Sequence, residues 1–286
     1  LRRFHLFEIE DQPWCPDFYR NYLVDYLRYA SEALGLMKPV VPVLERLLRN
    51  SGSARIVDLG SGGGGGLPSV ARELGKRVPG LSIVLTDLYP NRQALSGIVN
   101  EMPEMFRWEA RSIDARAAPA DLQGLRTLFL AFHHFRPAEA QSILQSAVDS
   151  GAAIAVFEPL ERDLLTFVKI ALSPFAALLL TPFIRPYRLG RLVWTYLIPA
   201  VPFGVTFDGL VSVLRTYRPH EMRSMIEMVE GHDRYDWEIG SARAGLAVIT
   251  FLTGSPKPVA DVAVAAADRR ENDAAPLDPN AFVLSE

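Results

Sequence analysis

The 286-residue chain has a single cysteine, Cys15. A lone cysteine cannot form an intrachain disulfide, which excludes a stapled secreted scaffold and leaves a reducing cytoplasm compatible. Strong charge of either sign is also missing. The formal net charge is −3, so a strongly basic nucleic-acid binder is excluded and no nucleic-acid partner is expected. Long unbroken apolar runs are lacking too. The uncharged stretches Ile170 to Ile184 and Leu192 to Phe207 are short of the roughly 20 residues of a simple membrane span. Each also contains two prolines, Pro174 and Pro182 in the first, Pro199 and Pro202 in the second. Leu1-Arg2-Arg3-Phe4-His5, followed by Glu8, Glu10 and Asp11, has no apolar signal-sequence core, and a cytoplasmic location is expected. What is present is 49% hydrophobic and 22% charged residues, the composition of a globular chain with a full core.

Between Ser53 and Pro159, short β-branched runs alternate with amphipathic stretches. Arg55 to Leu59, Leu81 to Thr86, Leu125 to Phe132 and Ile154 to Phe157 read as strands. Leu67 to Leu74 and Pro137 to Val148 carry apolar residues at helical spacing. This β-α-β-α order predicts a parallel sheet with helices on both faces. Further on, Arg218-Pro219-His220-Glu221 starts a helix with proline in its first turn. Tyr235 to Ala244 and Leu246 to Thr253 follow as two tightly joined strands, which implies one antiparallel strand in the sheet.

Asp58-Leu59-Gly60-Ser61-Gly62 and four further glycines lie between the first strand and its helix. Glycine there permits positive φ and a close backbone approach to a ligand, and the helix N-terminus adds free N–H donors. Asp87 closes the second strand, where a carboxylate can accept both hydroxyl hydrogens of a ribose. The pair points to a nucleoside-containing cofactor. Asp58, two residues before Gly60, is placed to contact an amino group, directly or through water, and would repel a pyrophosphate.

These residues resemble the class I S-adenosylmethionine-dependent methyltransferases. Val57-Asp58-Leu59-Gly60-Ser61-Gly62 is similar to the first motif and Leu85-Thr86-Asp87-Leu88 to the second. Ser112-Ile113-Asp114-Ala115 would be the acidic turn beside the adenine. The resemblance implies a Rossmann-like α/β fold: a seven-stranded, mostly parallel sheet with one antiparallel strand. It also implies S-adenosylmethionine as cofactor. In that reading the loop at Gly60, Ser61 and Gly62 passes the methionine moiety, Asp87 binds the ribose, Leu88 flanks it, and Asp114 with Ala115 meets the adenine. The run Gly62 to Gly66 departs from the family pattern and suggests a looser loop. A nicotinamide-dependent oxidoreductase and a non-catalytic, membrane-associated cofactor-binding protein are the alternatives.

Methyl transfer to a hydroxyl or ammonium acceptor needs alignment and a place for the proton. His133 and His134 follow the fourth strand, whose C-terminal end faces the ligand crevice, and either could act as general base near neutral pH. In an extended segment neighbouring side chains point apart, so no metal site is expected. Glu158 ends the next strand as a ligand for substrate or base, or as a cap for the following helix.

Five regions follow: an N-terminal helical cap or lid (1–52), the cofactor-binding core (53–159), an apolar basic helical insertion (160–217), a helix and strand pair completing the core (218–254), and a disordered acidic tail (255–286). The insertion concentrates the apolar excess behind a mean hydropathy of +0.10. It reads as a buried cap forming an apolar pocket, as an interfacial segment on an anionic membrane surface, or as a homodimer interface. The first two imply a small, hydrophobic or lipid-like acceptor; the second puts the protein on the inner face of the membrane.

Overall fold

The computed structural model describes residues 2–245 and 247–258. Its frame is one seven-stranded sheet of β1 (Arg55–Leu59), β2 (Ser82–Thr86), β3 (Phe106–Trp108), β4 (Leu125–Phe129), β5 (Ile154–Glu158), β6 (Tyr235–Ala244) and β7 (Ala247–Pro256). The spatial order is β3-β2-β1-β4-β5-β7-β6. The first five strands pair in parallel, and β7 runs antiparallel to both β5 and β6. This is the sheet that the methyltransferase resemblance implies, including its one reversed strand.

The helices are α1 (Asp17–Ala33), α2 (Val41–Ser51), α3 (Leu67–Gly75), α4 (Arg92–Glu101), α5 (Pro137–Asp149), α6 (Leu164–Ala171), α7 (Ser173–Leu180), α8 (Leu189–Leu192), α9 (Ala200–Arg215) and α10 (Pro219–Glu227). Strand side chains alternate between two cores, as a period of two requires. Ile56, Ile83, Leu85, Ala155 and Phe157 face α2, α3 and α4, where they meet Leu44, Leu74, Leu95 and Ile98. Val57, Leu59, Leu128, Ile154 and Val156 face α5 and α10, against Ile143, Leu144, Met222 and Met225. Each of the larger side chains, fully buried, contributes ~1.5–3 kcal/mol.

A third core joins the N-terminus to the insertion. Tyr19, Tyr22, Leu23 and Tyr26 of α1 pack on Ala177, Val201 and Val205, so these tyrosines are core. Arg191 is buried in this layer, held 2.7 Å from Asp25 and donating to the carbonyls of Ile184 and Pro186. Among the described residues no single helix is long and apolar enough to cross a membrane. Two helix pairs pass such a test only together, bent by 40° and 77°.

Two boundaries differ from expectation. Strand β4 ends at Phe129, and Phe132–His134 forms a 3-10 turn instead of more strand. Strand β7 runs to Pro256, beyond residue 255. The rest of the acidic tail from 259 lies outside the described residues.

Candidate active site

β2 and β3 lie to one side of β1, and β4 and β5 to the other, so the chain leaves the adjacent C-terminal ends of β1 and β4 in opposite directions. That divergence opens the crevice where α/β sheets bind ligands. The glycine loop leaves β1 there, and the histidine turn leaves β4.

Asp87 clamps the glycine loop. Its Oδ2 accepts from the Gly62 backbone N–H at 2.8 Å, and its Oδ1 from that of Tyr89 at 2.8 Å. A carboxylate accepts about four hydrogen bonds, so both oxygens keep capacity for a diol. Gly62 has φ +50° and open space where a Cβ would stand, as a ligand passing the loop requires. The rest of the glycine run is packed, not loose: a Cβ on Gly63 would strike Val24 of α1, and one on Gly64 would strike Ile98 of α4. Those glycines let α1 and α4 close onto the loop.

Asp58 is 2% exposed, with its bonds directed inside the loop. Its Oδ2 accepts from the Ser61 hydroxyl and its Oδ1 from the Thr127 hydroxyl, each at 2.7 Å. Burial raises its carboxyl to about 7, against the pull of those hydroxyls. Ser61 also accepts from the Thr86 N–H, so Asp58 and Ser61 tie β1, β2 and β4 together beneath Gly60. The turn at Ser112 to Ala115 runs beside the end of β2, where Ile113 N–H donates to the Asp87 carbonyl and the Ser112 hydroxyl to that of Leu88. Leu88 is exposed there and Ala115 buried. Asp114 is paired with Arg116 at 2.7 Å, which holds its carboxyl below the usual range.

On the other side, His133, His134 and Glu158 come together. His133 Nδ1 lies 2.8 Å from Glu158 Oε2, and the His133 backbone N–H donates to Glu158 Oε1 at 3.1 Å. Glu158 thereby fixes the donor on Nδ1 and leaves Nε2 as the basic nitrogen. The two histidine rings do not point apart. The 3-10 turn brings them to 4.4 Å, tilted by 32°.

A strap at the N-terminus covers this pair and supplies groups that the sequence did not single out as site residues. Glu8 is buried, with Oε1 3.9 Å from His133 Nε2 and Oε2 3.3 Å from His134 Nδ1. Asp11 Oδ2 lies 3.1 Å from His134 Nδ1. Arg215 of α9 sits 3.2 Å from Glu8 and 3.0 Å from Asp11. Burial opposes charge on His134, but Glu8 and Asp11 outweigh it and raise the imidazole to about 10. Asp208 fixes the strap by accepting from the Ile9 and Glu10 N–H groups, and Ser212 donates to Glu8. The sequence did carry a signal: Asp208, Ser212 and Arg215 recur at helical spacing in an otherwise apolar helix.

Glu8, His133 and His134 offer ligand atoms within 4.8 Å of one another, a grouping the expected divergence of the histidines would have prevented. All three already have charged partners: Arg215 neutralises Glu8, Asp11 pairs with His134, and Glu158 with His133.

The chain matches no known family model and no curated protein sequence. Among solved structures it is similar to an O-methyltransferase family protein from Burkholderia thailandensis, at 17% identity and a TM-score of 0.43, covering 79% of this chain and 57% of that one. It is similar to the mitomycin 7-O-methyltransferase MmcR at 15% identity and a TM-score of 0.48, covering 87% and 59%. PigF with SAH gives 14% and 0.47, covering 86% and 63%. The chain thus spans less than two thirds of the length of these structures. Its fold rests on the strand order and directions above.

Proposed function

We propose that the chain is an S-adenosylmethionine-dependent methyltransferase acting on a small, hydrophobic or lipid-like acceptor. The observation that carries the reading is the Asp87 clamp on Gly62, at the divergence of β1 and β4, opposite the His133–Glu158 pair. The bare face of Gly62 and the spare acceptor capacity of Asp87 fit a methionine chain beside a ribose. Leu88, Asp114 and Ala115 would flank the adenine.

S-adenosylmethionine, when bound, supplies an electrophilic methyl group on a sulfonium. The chain's own residues then have two tasks. The loop at Gly60 to Gly62 and Asp87 orient the donor, and His133 Nε2 takes the proton that a hydroxyl acceptor releases as it attacks, or that an ammonium acceptor must release before it attacks. Glu158 stabilises the imidazolium so formed. His133 and Glu158 are buried beneath the strap, so admission of an acceptor requires the segment around Glu8 to shift. The apolar insertion supports a hydrophobic acceptor, and we place the protein in the cytoplasm, peripheral on the inner face of the membrane.

Calorimetric titration of the full chain tests the reading. S-adenosylmethionine and S-adenosylhomocysteine should bind, and Asp87→Ala should weaken both by tenfold or more, about 1.4 kcal/mol. No heat with either ligand, together with quenching of NADH fluorescence, would transfer the site to a nicotinamide oxidoreductase.

A further inference from the structure

The insertion is folded but not covered. Helix α6 buries none of its residues, although its sequence is Leu-Leu-Thr-Phe-Val-Lys-Ile-Ala. In α7 only Ala177 is buried. A surface helix of a water-soluble domain turns a polar face outward; these two turn leucine and phenylalanine outward. Leu164 is 72% exposed, Phe175 68%, Leu179 69%, and Leu189 and Leu197 78% each. The inner sides of α7 and α9 are already used against α1, where Ala177, Val201 and Val205 are buried, so the outward side has no partner among the described residues. Monomeric proteins rarely expose contiguous apolar patches beyond a few hundred Å² without a binding role.

We infer that this face, made by α6, α7 and the bend from α8 into α9, docks in the plane of an anionic lipid bilayer. Charge selects that occupant. From Leu164 to Phe207 there is no acidic residue, while Lys169, Arg185, Arg188 and Arg191 are basic. Arg191 is buried against Asp25; Arg185 is exposed, stacked on the ring of Tyr187 at 3.5 Å. A second copy of the same face would bring arginine to arginine with no carboxylate on the patch to answer it. Anionic headgroups answer it directly, at about 1 kcal/mol per basic residue near the surface. Geometry selects the pose. The 40° and 77° bends keep each helix pair from forming a straight span, and Tyr187 and Tyr196 sit on the exposed side as interfacial aromatics do.

The patch continues to the strap. Phe203 stacks on Phe207 at 6.0 Å, and Phe207 meets Phe7 at 5.5 Å. Phe7 precedes Glu8, the residue that closes over His133. A docked molecule therefore holds the strap at the bilayer edge, where a membrane-dissolved acceptor would enter. That last step rests on the methyltransferase reading; the docking does not.

Flotation of the full chain with vesicles is the test, using phosphatidylcholine alone and phosphatidylcholine mixed with phosphatidylglycerol. The protein should float with the mixed vesicles and less with the neutral ones. Leu179→Ser with Leu197→Ser, both at exposed positions, should lower binding tenfold or more while circular dichroism and cofactor binding stay unchanged. Arg185→Glu should lower binding to the mixed vesicles about fivefold and leave neutral vesicles unaffected. Failure of the folded protein to float with either vesicle would overturn the docking. So would a dimer in sedimentation velocity that the leucine variants dissolve without any vesicle binding. Flotation without S-adenosylmethionine binding would remove the proposed activity and keep the docking; cofactor binding without flotation would do the reverse.

Discussion

His133 draws its usefulness from a neighbour 25 residues away. Glu158 holds both its ring nitrogen and its backbone N–H, so the imidazole is fixed in rotation and tautomer before any acceptor arrives. If His133 is the proposed base and Glu158 positions it, the two should fail in different ways. His133→Gln removes the proton acceptor and should cut kcat by about 10²–10⁴-fold with cofactor affinity unchanged. Glu158→Gln keeps the shape but loses the charge that stabilises the imidazolium, and should cost about 10–100-fold in kcat. Steady-state rates at saturating cofactor check both, once an acceptor is in hand. A His133→Gln enzyme running at the wild-type rate would show that alignment alone suffices and that the histidine is structural.

The glycine loop shows how an element can be legible in outline and misread in texture. β1, β2, β4 and β5 are visible in the sequence because each is an apolar run ending in a loop with chemistry. The position of Asp87 at the end of β2 follows from that reading, whereas its bond to the Gly62 N–H does not. β3 escapes because it has three residues, Phe106–Trp108, with only Phe106 buried, too few to show a period. The histidine turn misleads because a strand and a 3-10 turn share the same apolar approach. An N-terminal cap or lid is expected from the sequence, but its charged contacts escape because Glu8 and Asp11 find Arg215 only across a sequence separation of 204 or more. In the loop itself, glycine composition suggests slack where the fold uses it for contact. Gly63→Ala should push against Val24 and destabilise by about 1–3 kcal/mol. Adding Val24→Ala should recover part of that loss, a coupling that a double-mutant cycle in urea would measure. Gly62→Ala meets no atoms and should cost only its backbone, about 1–2 kcal/mol, with no rescue by Val24→Ala. Equal rescue of both variants would mean that α1 does not press on the loop at Gly63.

At the scale of the whole molecule, the site is held together by charges whose titration the folded chain resists. Burial raises Asp58 from 3.8 to about 7 and Asp208 from 3.8 to about 6, and raises Glu10 from 4.5 to about 8. Each native carboxyl keeps its proton after the unfolded chain has released it. Native protein thus binds more protons than unfolded protein between about pH 4 and 8, and stability falls as pH rises through that window. His134 has the same sign higher up. Its native value near 10 exceeds the ordinary 6.5, so its ion pairs stabilise fully below about pH 6.5 and are lost as pH climbs toward 10. Asp11 acts oppositely. Burial works against its anion, but the His134 and Arg215 hydrogen bonds prevail and hold its carboxyl below the usual range; that stabilisation is lost only in acid. The midpoint of urea unfolding should therefore decline from about pH 5 to pH 9, each group contributing a slope of at most about 1.4 kcal/mol per pH unit. Asp58→Asn should flatten the part below pH 7, and His134→Gln the part above it. A midpoint that rises between pH 7 and 9 would mean that His134 is neutral beneath the strap and that Arg215 alone balances Glu8 and Asp11.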